Sequence, residues 1–163
     1  MAEGGTTVAQ IAARTFLNEL DAQHVPYELM PHPRTETALA EAEALGVEPA
    51  HVAKTVILTT RTGFVRAVIP APKRLDLDKV RNLLDTSGAR LASERAIADA
   101  YPGFELGAVP PFGGPRDKVL IDGRLCVHES VVVDAGRHDE SLRIKTKDLV
   151  RITGALLGDL CAD

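Results

Sequence analysis

Val8, Ile11, Ala12, Phe16, Leu17 and Leu20 fall on one face at helical spacing, so residues 7–23 read as an amphipathic helix. Thr7-Val8-Ala9-Gln10 gives it capping-box spacing. Val25-Pro26 ends the helix, and Tyr27 to Met30 predicts a short strand. Pro31-His32-Pro33 is a rigid loop. A second helix starts at Thr35 or Thr37, runs to Leu45 and stops at Gly46. Glu48 to His51 reads as a short helical turn that delivers Lys54. The β-rich runs Lys54–Thr60 and Phe64–Pro70 flank Arg61-Thr62-Gly63 and predict a hairpin.

Farther on, Asp76–Leu84 reads as a helix, and Ser93 caps another through Ala100. Tyr101–Gly114 is a long loop rich in Pro and Gly. Lys118–Ile121 and Leu125–His128 flank Asp122-Gly123, a hairpin signal. Ser130–Asp134 and Ser141–Lys145 predict two more strands, broken by Ala135-Gly136-Arg137-His138. Thr146 caps a last helix to about Ile152. Hairpin strands with helices at both ends and between them do not alternate regularly. The expected class is therefore α+β, with a mixed, largely antiparallel sheet closed partly into a barrel and surrounded by helices. The chain, 163 residues long, is expected to be a single domain over residues 1–163, with its core at about 7–153.

Composition adds limits. Apolar residues at 45% and charged residues at 26% are ordinary for a globular protein. No apolar run approaches a membrane span, and the first seven residues lack the regions of a signal peptide, so no membrane partner and a cytoplasmic location are expected. Cys126 and Cys161 fit reduced thiols, with Cys126 alternating into the core of a strand. The net charge of −4 argues against a broadly basic nucleic-acid binder. Its distribution is uneven: residues 54–95 hold nine bases against four acids. Arg61, Arg66, Lys73, Arg74, Lys79, Arg81, Arg90 and Arg95 belong to this stretch and offer a modest phosphate-contacting face.

Candidate chemistry is sparse. No Cys-x-x-Cys, His-Glu-x-x-His, P-loop or dinucleotide glycine motif occurs, and the histidines lack metal-ligand spacing. These spacings give no metal site. Lys54, at the start of an apolar strand, is the most informative residue. A cation there is costly unless it snorkels to water or meets a ligand. Gly107-Ala108-Val109-Pro110-Pro111-Phe112-Gly113-Gly114 is either a structural loop or a stiff cradle whose backbone approaches a ligand closely.

Four motifs in order carry a resemblance over nearly the whole chain. They are His32-Pro33-Arg34-Thr35 with Ala38 and Leu45-Gly46-Val47; Val52-Ala53-Lys54-Thr55-Val56; Gly107 through Gly113; and Ala135-Gly136-x-His138 leading into Leu142-Arg143-Ile144. With these the chain resembles the YbaK/EbsC family of freestanding aminoacyl-tRNA deacylases, relatives of the editing domain inserted in bacterial prolyl-tRNA synthetase. The resemblance implies hydrolysis of the ester joining a wrong amino acid to tRNA, without metal or organic cofactor. Its implied partners are the tRNA acceptor end and prolyl-tRNA synthetase, with the protein a monomer or weak dimer. Gly136-x-His138 is similar to the branch that removes alanine from tRNA-Pro. Thr55 after Lys54 is similar to branches acting on cysteinyl-tRNA or other substrates. Asp134 stands where many members have a small polar residue, and Ala135 where many have Gly.

The resemblance gives Lys54 the essential role of holding the terminal phosphate or the aminoacyl carbonyl region. Backbone groups at Gly107, Pro111 and Gly113, and at Ala135 and Gly136, would position the carbonyl and the attacking water. His32 and His138 would line the pocket, and Thr55 and Phe112 would set its size. The substrate's own 2′-hydroxyl could assist, so no powerful nucleophile is required. Two other readings use the same residues: a non-catalytic module that binds aminoacyl-tRNA or a nucleotide, and a hydrolase of small esters or amides that does not use tRNA.

Overall fold

The computed structural model describes residues 8–163, with side chains from Thr15 onward. The Thr7 cap and the side chains of Val8, Ile11 and Ala12 lie outside this description. Helix α1 (Val8–Ala22) is followed by strand β1 (Tyr27–Pro31) and helix α2 (Ala38–Leu45). Thr37 Oγ1 accepts from the Ala40 amide, and Gly46 closes α2 in the left-handed conformation at φ 65°. A 3-10 turn, Pro49–His51, leads into the hairpin β2 (Ala53–Thr60) and β3 (Gly63–Pro70). Its register runs from Ala53 opposite Pro70 to Thr60 opposite Gly63. Helix α3 (Leu77–Leu84) is capped by the Asp76 carboxylate. After β4 (Arg90–Leu91), Ser93 caps α4 (Glu94–Ala100). Past the Pro-Gly loop come β5 (Lys118–Asp122), β6 (Ser130–Arg137), β7 (Glu140–Lys145), α5 (Thr146–Thr153) and β8 (Leu156–Gly158).

The strands form two sheets, an antiparallel β1-β7-β6 and a mixed β4-β2-β3-β5-β8. The two meet where Val52, just before β2, bridges Val132 of β6. The α+β class with mixed and antiparallel pairing is thus the observed one. One core lies between the sheets and under α1 and α5. There Phe16 stacks on Phe112 at 4.4 Å, amid Val133, Leu142 and Leu149. A second core packs α3 through Val80 against Leu58, Ile69 and Leu120 on the other face of the larger sheet.

Several local expectations fail for identifiable reasons. Leu125–His128 is not a strand: residues Gly123–Val127 form a 3-10 helix. The Asp122 carboxylate accepts from the Arg124 amide at 2.8 Å and turns the chain, so Asp122-Gly123 ends a strand instead of joining two. β5 pairs in parallel with β3 and β8. Cys126 is consequently exposed and not a core residue. Thr146 does not cap α5; Lys145 occupies that position, and the Thr146 hydroxyl donates to the His128 carbonyl at 2.7 Å. Residues 135–137 do not break β6 but form an irregularity within it, between Asp134 and Arg137.

Arg66 also departs from expectation. It is 1% exposed, so it offers nothing to a phosphate-contacting face. Its guanidinium donates to the carbonyls of Pro110 (2.8 Å), Gly113 (2.6 Å) and Pro115 (2.9 Å), and pairs with Asp117 at 3.1 Å. It also lies over the Tyr101 ring, 4.9 Å from its centroid, and the Tyr101 hydroxyl bonds to Asp117. One β3 side chain therefore ties down the loop from Tyr101 to Asp117. Replacing it strands buried carbonyls and a carboxylate, a defect that typically costs about 3–5 kcal/mol. Urea denaturation of Arg66→Ala should show a loss of that size. Arg66→Lys should recover little of it, because an ammonium cannot span the same fork of acceptors.

Candidate functional site

Lys54 reaches its place because the Pro49–His51 turn starts β2 one residue before it, opposite Ile69 of β3. A cavity of about 440 Å³ opens there, between β2, the residues around α2, and the β6–β7 turn. Of the residues selected from sequence, it brings together His32, Lys54, Thr55, Gly107 and His138. Glu36, Glu41, Asp134 and Arg137 line it as well.

The Lys54 side chain makes no hydrogen bond or ion pair within range of any described residue. Burial lowers its pKa below the ordinary lysine value, and the positive charge of Arg74 nearby lowers it further. Beside it, the Thr55 hydroxyl is the one buried side-chain polar atom among the described residues that lacks a partner. Native interiors rarely leave such an atom unpaired unless a water or ligand completes it.

His138 is fixed by the Pro-Gly loop. Its Nε2 donates to the Leu106 carbonyl at 2.7 Å, and its amide donates to the Glu105 carboxylate at 2.9 Å. This leaves Nδ1 as its remaining polar atom. His32 is held on both sides. Nδ1 donates to the Pro33 carbonyl at 2.7 Å, and Nε2 lies 2.8 Å from Ser141 Oγ. Ser141 in turn donates to Glu41, a buried residue on the inner face of α2. One hydroxyl proton serves one partner only. With Ser141 donating to Glu41, its hydroxyl oxygen faces Nε2 of His32, and this hydrogen bond favours the Glu41 carboxylate.

Pro111, Phe112 and Gly113 are not brought to this cavity. They line a separate groove beside Arg66. Phe112 is in the core against Phe16, and a side chain at Gly113 would come within 2.9 Å of Phe16. The carbonyls of Pro110 and Gly113 are committed to Arg66. Ala135 and Gly136 are buried behind the cavity wall. Gly136 has φ 90°, and an added Cβ would lie 2.6 Å from Phe104. Its amide donates to the Ala108 carbonyl and its own carbonyl accepts from Glu105, each at 2.9 Å. These two residues join loop to strand, and so set their neighbours Asp134 and His138 in the wall.

Glu41, Ser141 and the placing of Asp134 were missed from sequence. Glu41 did leave a signal: with Ala38, Ala42 and Leu45 it lies on the inward stripe of α2, where a carboxylate is out of place. Burial pushes the Glu41 carboxyl up, partly offset by Ser141 and the imidazoles. Burial and the charge of Glu41 together push Asp134 well above the carboxylate range. Among the described residues, no group of three or more His, Cys, Asp or Glu could hold a metal ion.

Fold and cavity define an α+β architecture with a polar cavity in which Lys54 is the one unpaired cation among the described residues that line it. The sequence pattern of the aminoacyl-tRNA editing domain matches residues 32–152, and the chain belongs to that family. It superposes with a TM-score of 0.83 on the crystal structure of a candidate trans-editing enzyme for prolyl-tRNA synthetase, at 26% identity over 93% of this chain and 98% of that one. It is 26% identical to the proline–tRNA ligase of Maridesulfovibrio salexigens over 83% of its own length but only 23% of the ligase. The corresponding ligase of Fervidobacterium nodosum is 30% identical over 55% of this chain and 16% of that protein. The chain thus spans under a quarter of the length of these curated relatives.

A half-buried ammonium without a partner weakens the fold that holds it. Lys54→Met, which keeps the stem and removes the charge, should raise stability by about 0.5–2 kcal/mol. Chemical denaturation near neutral pH checks this. The gain should shrink as pH rises through the lowered pKa of Lys54, because the wild-type side chain then sheds its charge.

Proposed function

We propose that this chain is a trans-acting aminoacyl-tRNA deacylase that hydrolyses the ester of mischarged tRNA. The substrate in this reading is tRNA-Pro carrying a small wrong amino acid such as alanine or cysteine. The observation that carries it is the editing-family match, which spans the cavity around the unpaired Lys54. In this reading the whole chain is one editing domain, works in the cytoplasm, and has prolyl-tRNA synthetase as a partner.

The physical case begins with discrimination. A synthetase separates amino acids that differ by a methylene by only about 1–3 kcal/mol, so a second, hydrolytic site is needed. A cavity of about 440 Å³ has room for a small aminoacyl group on its ribose. Lys54 supplies positive charge for the terminal phosphate or the carbonyl oxygen. Preset donors at a developing oxyanion are each worth about 10²–10³ in rate. The unpaired Thr55 hydroxyl and Nδ1 of His138 are free to orient the ester or its water. Exposed Arg74 lies near Lys54 and carries exposed Lys73 beside it in sequence, where the acceptor strand would pass.

Deacylation of alanyl-, cysteinyl-, seryl- and threonyl-tRNA by wild type and Lys54→Ala tests the reading. The expected result is release of one or two of these amino acids, with Lys54→Ala at least about 10²-fold slower and still folded by circular dichroism. A folded Lys54→Ala protein at the wild-type rate would sink the assignment. Lys73→Glu with Arg74→Glu should weaken tRNA binding and flatten its dependence on log salt by about 1–2 in slope. An unchanged slope would remove that face from the contact.

A further inference from the structure

Four polar side chains meet at one end of the cavity. Asp134 of β6 stands directly opposite Ser141 of β7 in the antiparallel register. Residues so paired share a face, with their Cβ atoms about 5 Å apart. Ser141 is fully buried and donates to Glu41, while Nε2 of His32 lies 2.8 Å from its hydroxyl on the other side. Glu41 is thereby tethered through one oxygen in the wall where Asp134 also lies. Asp134 has no hydrogen-bond partner or counter-ion among the described residues.

Two carboxyls this close in a desolvated pocket do not both ionise. Ser141 and His32 favour charge on Glu41, which leaves the proton on Asp134. Two other candidate bases are occupied or unsuited: both nitrogens of His32 are engaged, and Lys54 is a cation at the Arg74 side of the cavity. His138, held through Nε2 by Leu106, keeps Nδ1 open to orient the ester. The remaining charged groups lining the cavity are Arg137 and Glu36.

We propose that Glu41 and Asp134 are the base and acid of the hydrolysis, with Ser141 and His32 as positioning residues. This rests on the deacylase reading and supplies its proton path. Water oxygen bonds to the ester carbonyl carbon while its proton passes to the Glu41 carboxylate. The bond from that carbon to the ribose oxygen then breaks, and the Asp134 proton goes to the leaving oxygen. The products are the free amino acid and a tRNA with its terminal hydroxyl restored. Transfer of the proton from Glu41 to Asp134 resets the pair. Separated carboxyl roles of this kind are a general way to run acid and base chemistry in one pocket.

The test compares wild type, Glu41→Gln, Asp134→Asn and Ser141→Ala on two substrates. One is the aminoacyl-tRNA that wild type cleaves best; the other is an aryl ester of the same amino acid, whose leaving group needs no proton. Glu41→Gln should lower kcat/KM about 10²–10⁴-fold on both and erase the fall in rate at acid pH. Asp134→Asn should lose about 10²-fold or more on the tRNA ester and far less on the aryl ester. Ser141→Ala keeps the carboxylate but removes its donor, so the acid limb should move to higher pH. That shift keeps the idea testable if Glu41→Gln does not fold. The alkaline limb is left aside because Lys54 also titrates there. A folded Glu41→Gln protein with the wild-type acid limb, or equal losses on both esters in Asp134→Asn, overturns the assignment alone. Wild-type protein inert on every aminoacyl-tRNA overturns the deacylase reading, and this assignment with it.

Discussion

The buried guanidinium of Arg66 is the constraint on which the rest of the architecture leans. Three carbonyls, one carboxylate and one aromatic face converge on it. A loop this rich in Pro and Gly cannot build its own ladder, and a buried loop without partners would carry unsatisfied backbone. Arg66 supplies those partners from a central strand. The consequence reaches the cavity. Once residues 110–117 are fixed, the loop can dock through Glu105 and Ala108 onto Gly136, and through Leu106 onto His138. The left-handed φ of Gly136, and the absence of a Cβ there, let Phe104 lie close enough for this docking. A structural cation thus orients a histidine in the cavity without touching it.

The two cations are opposites. Arg66 is nearly fully enclosed and fully partnered, so its burial is compensated. Lys54 is half-buried and unpartnered, so its burial is not. The same contrast holds among neutral groups: the Thr146 hydroxyl is satisfied by a backbone carbonyl, whereas that of Thr55 has no partner. Among the described residues, such deficits collected in one cavity are what a ligand would make good.

Much of the fold was legible from local signals. Ser93 caps its helix as expected, the helices expected from Thr35 or Thr37 and from Asp76 begin at Thr37 and Asp76 caps, and the β2–β3 hairpin follows from alternation around Arg61-Thr62-Gly63. Reading failed where tertiary partners decide. Asp122-Gly123 has hairpin chemistry, but β5 is claimed in parallel by two strands that lie far from it in sequence. Phe112 sits in a motif that resembles a ligand cradle, yet its ring is worth more against Phe16 than in a polar pocket. Arg66 alternates within an apolar strand like any surface base, and only the loop that folds over it makes it internal. Lys54, Thr55, His32, Gly107 and His138 were within reach because their motifs are contiguous. Glu41, Asp134 and Ser141 were not, because they belong to α2, β6 and β7 and meet only when β7 pairs with β6 beneath α2.

That meeting changes how the cavity is to be understood. Motif reading describes one cation and a rigid loop, which is a clamp. The folded chain adds an opposite pole: carboxyls at the Ser141 end, an ammonium at the Arg74 end, and the Thr55 hydroxyl in the wall. An aminoacyl ester has the same polarity, with an ammonium on one side of the carbonyl and a nucleotide phosphate on the other. Placed along that axis, the phosphate faces Lys54 and the ester carbonyl lies near the carboxyls. The reverse placement sets like charges against each other at both ends. The poles therefore fix the orientation of such a ligand before its side chain is read, and size and shape near Thr55 are left to choose among amino acids.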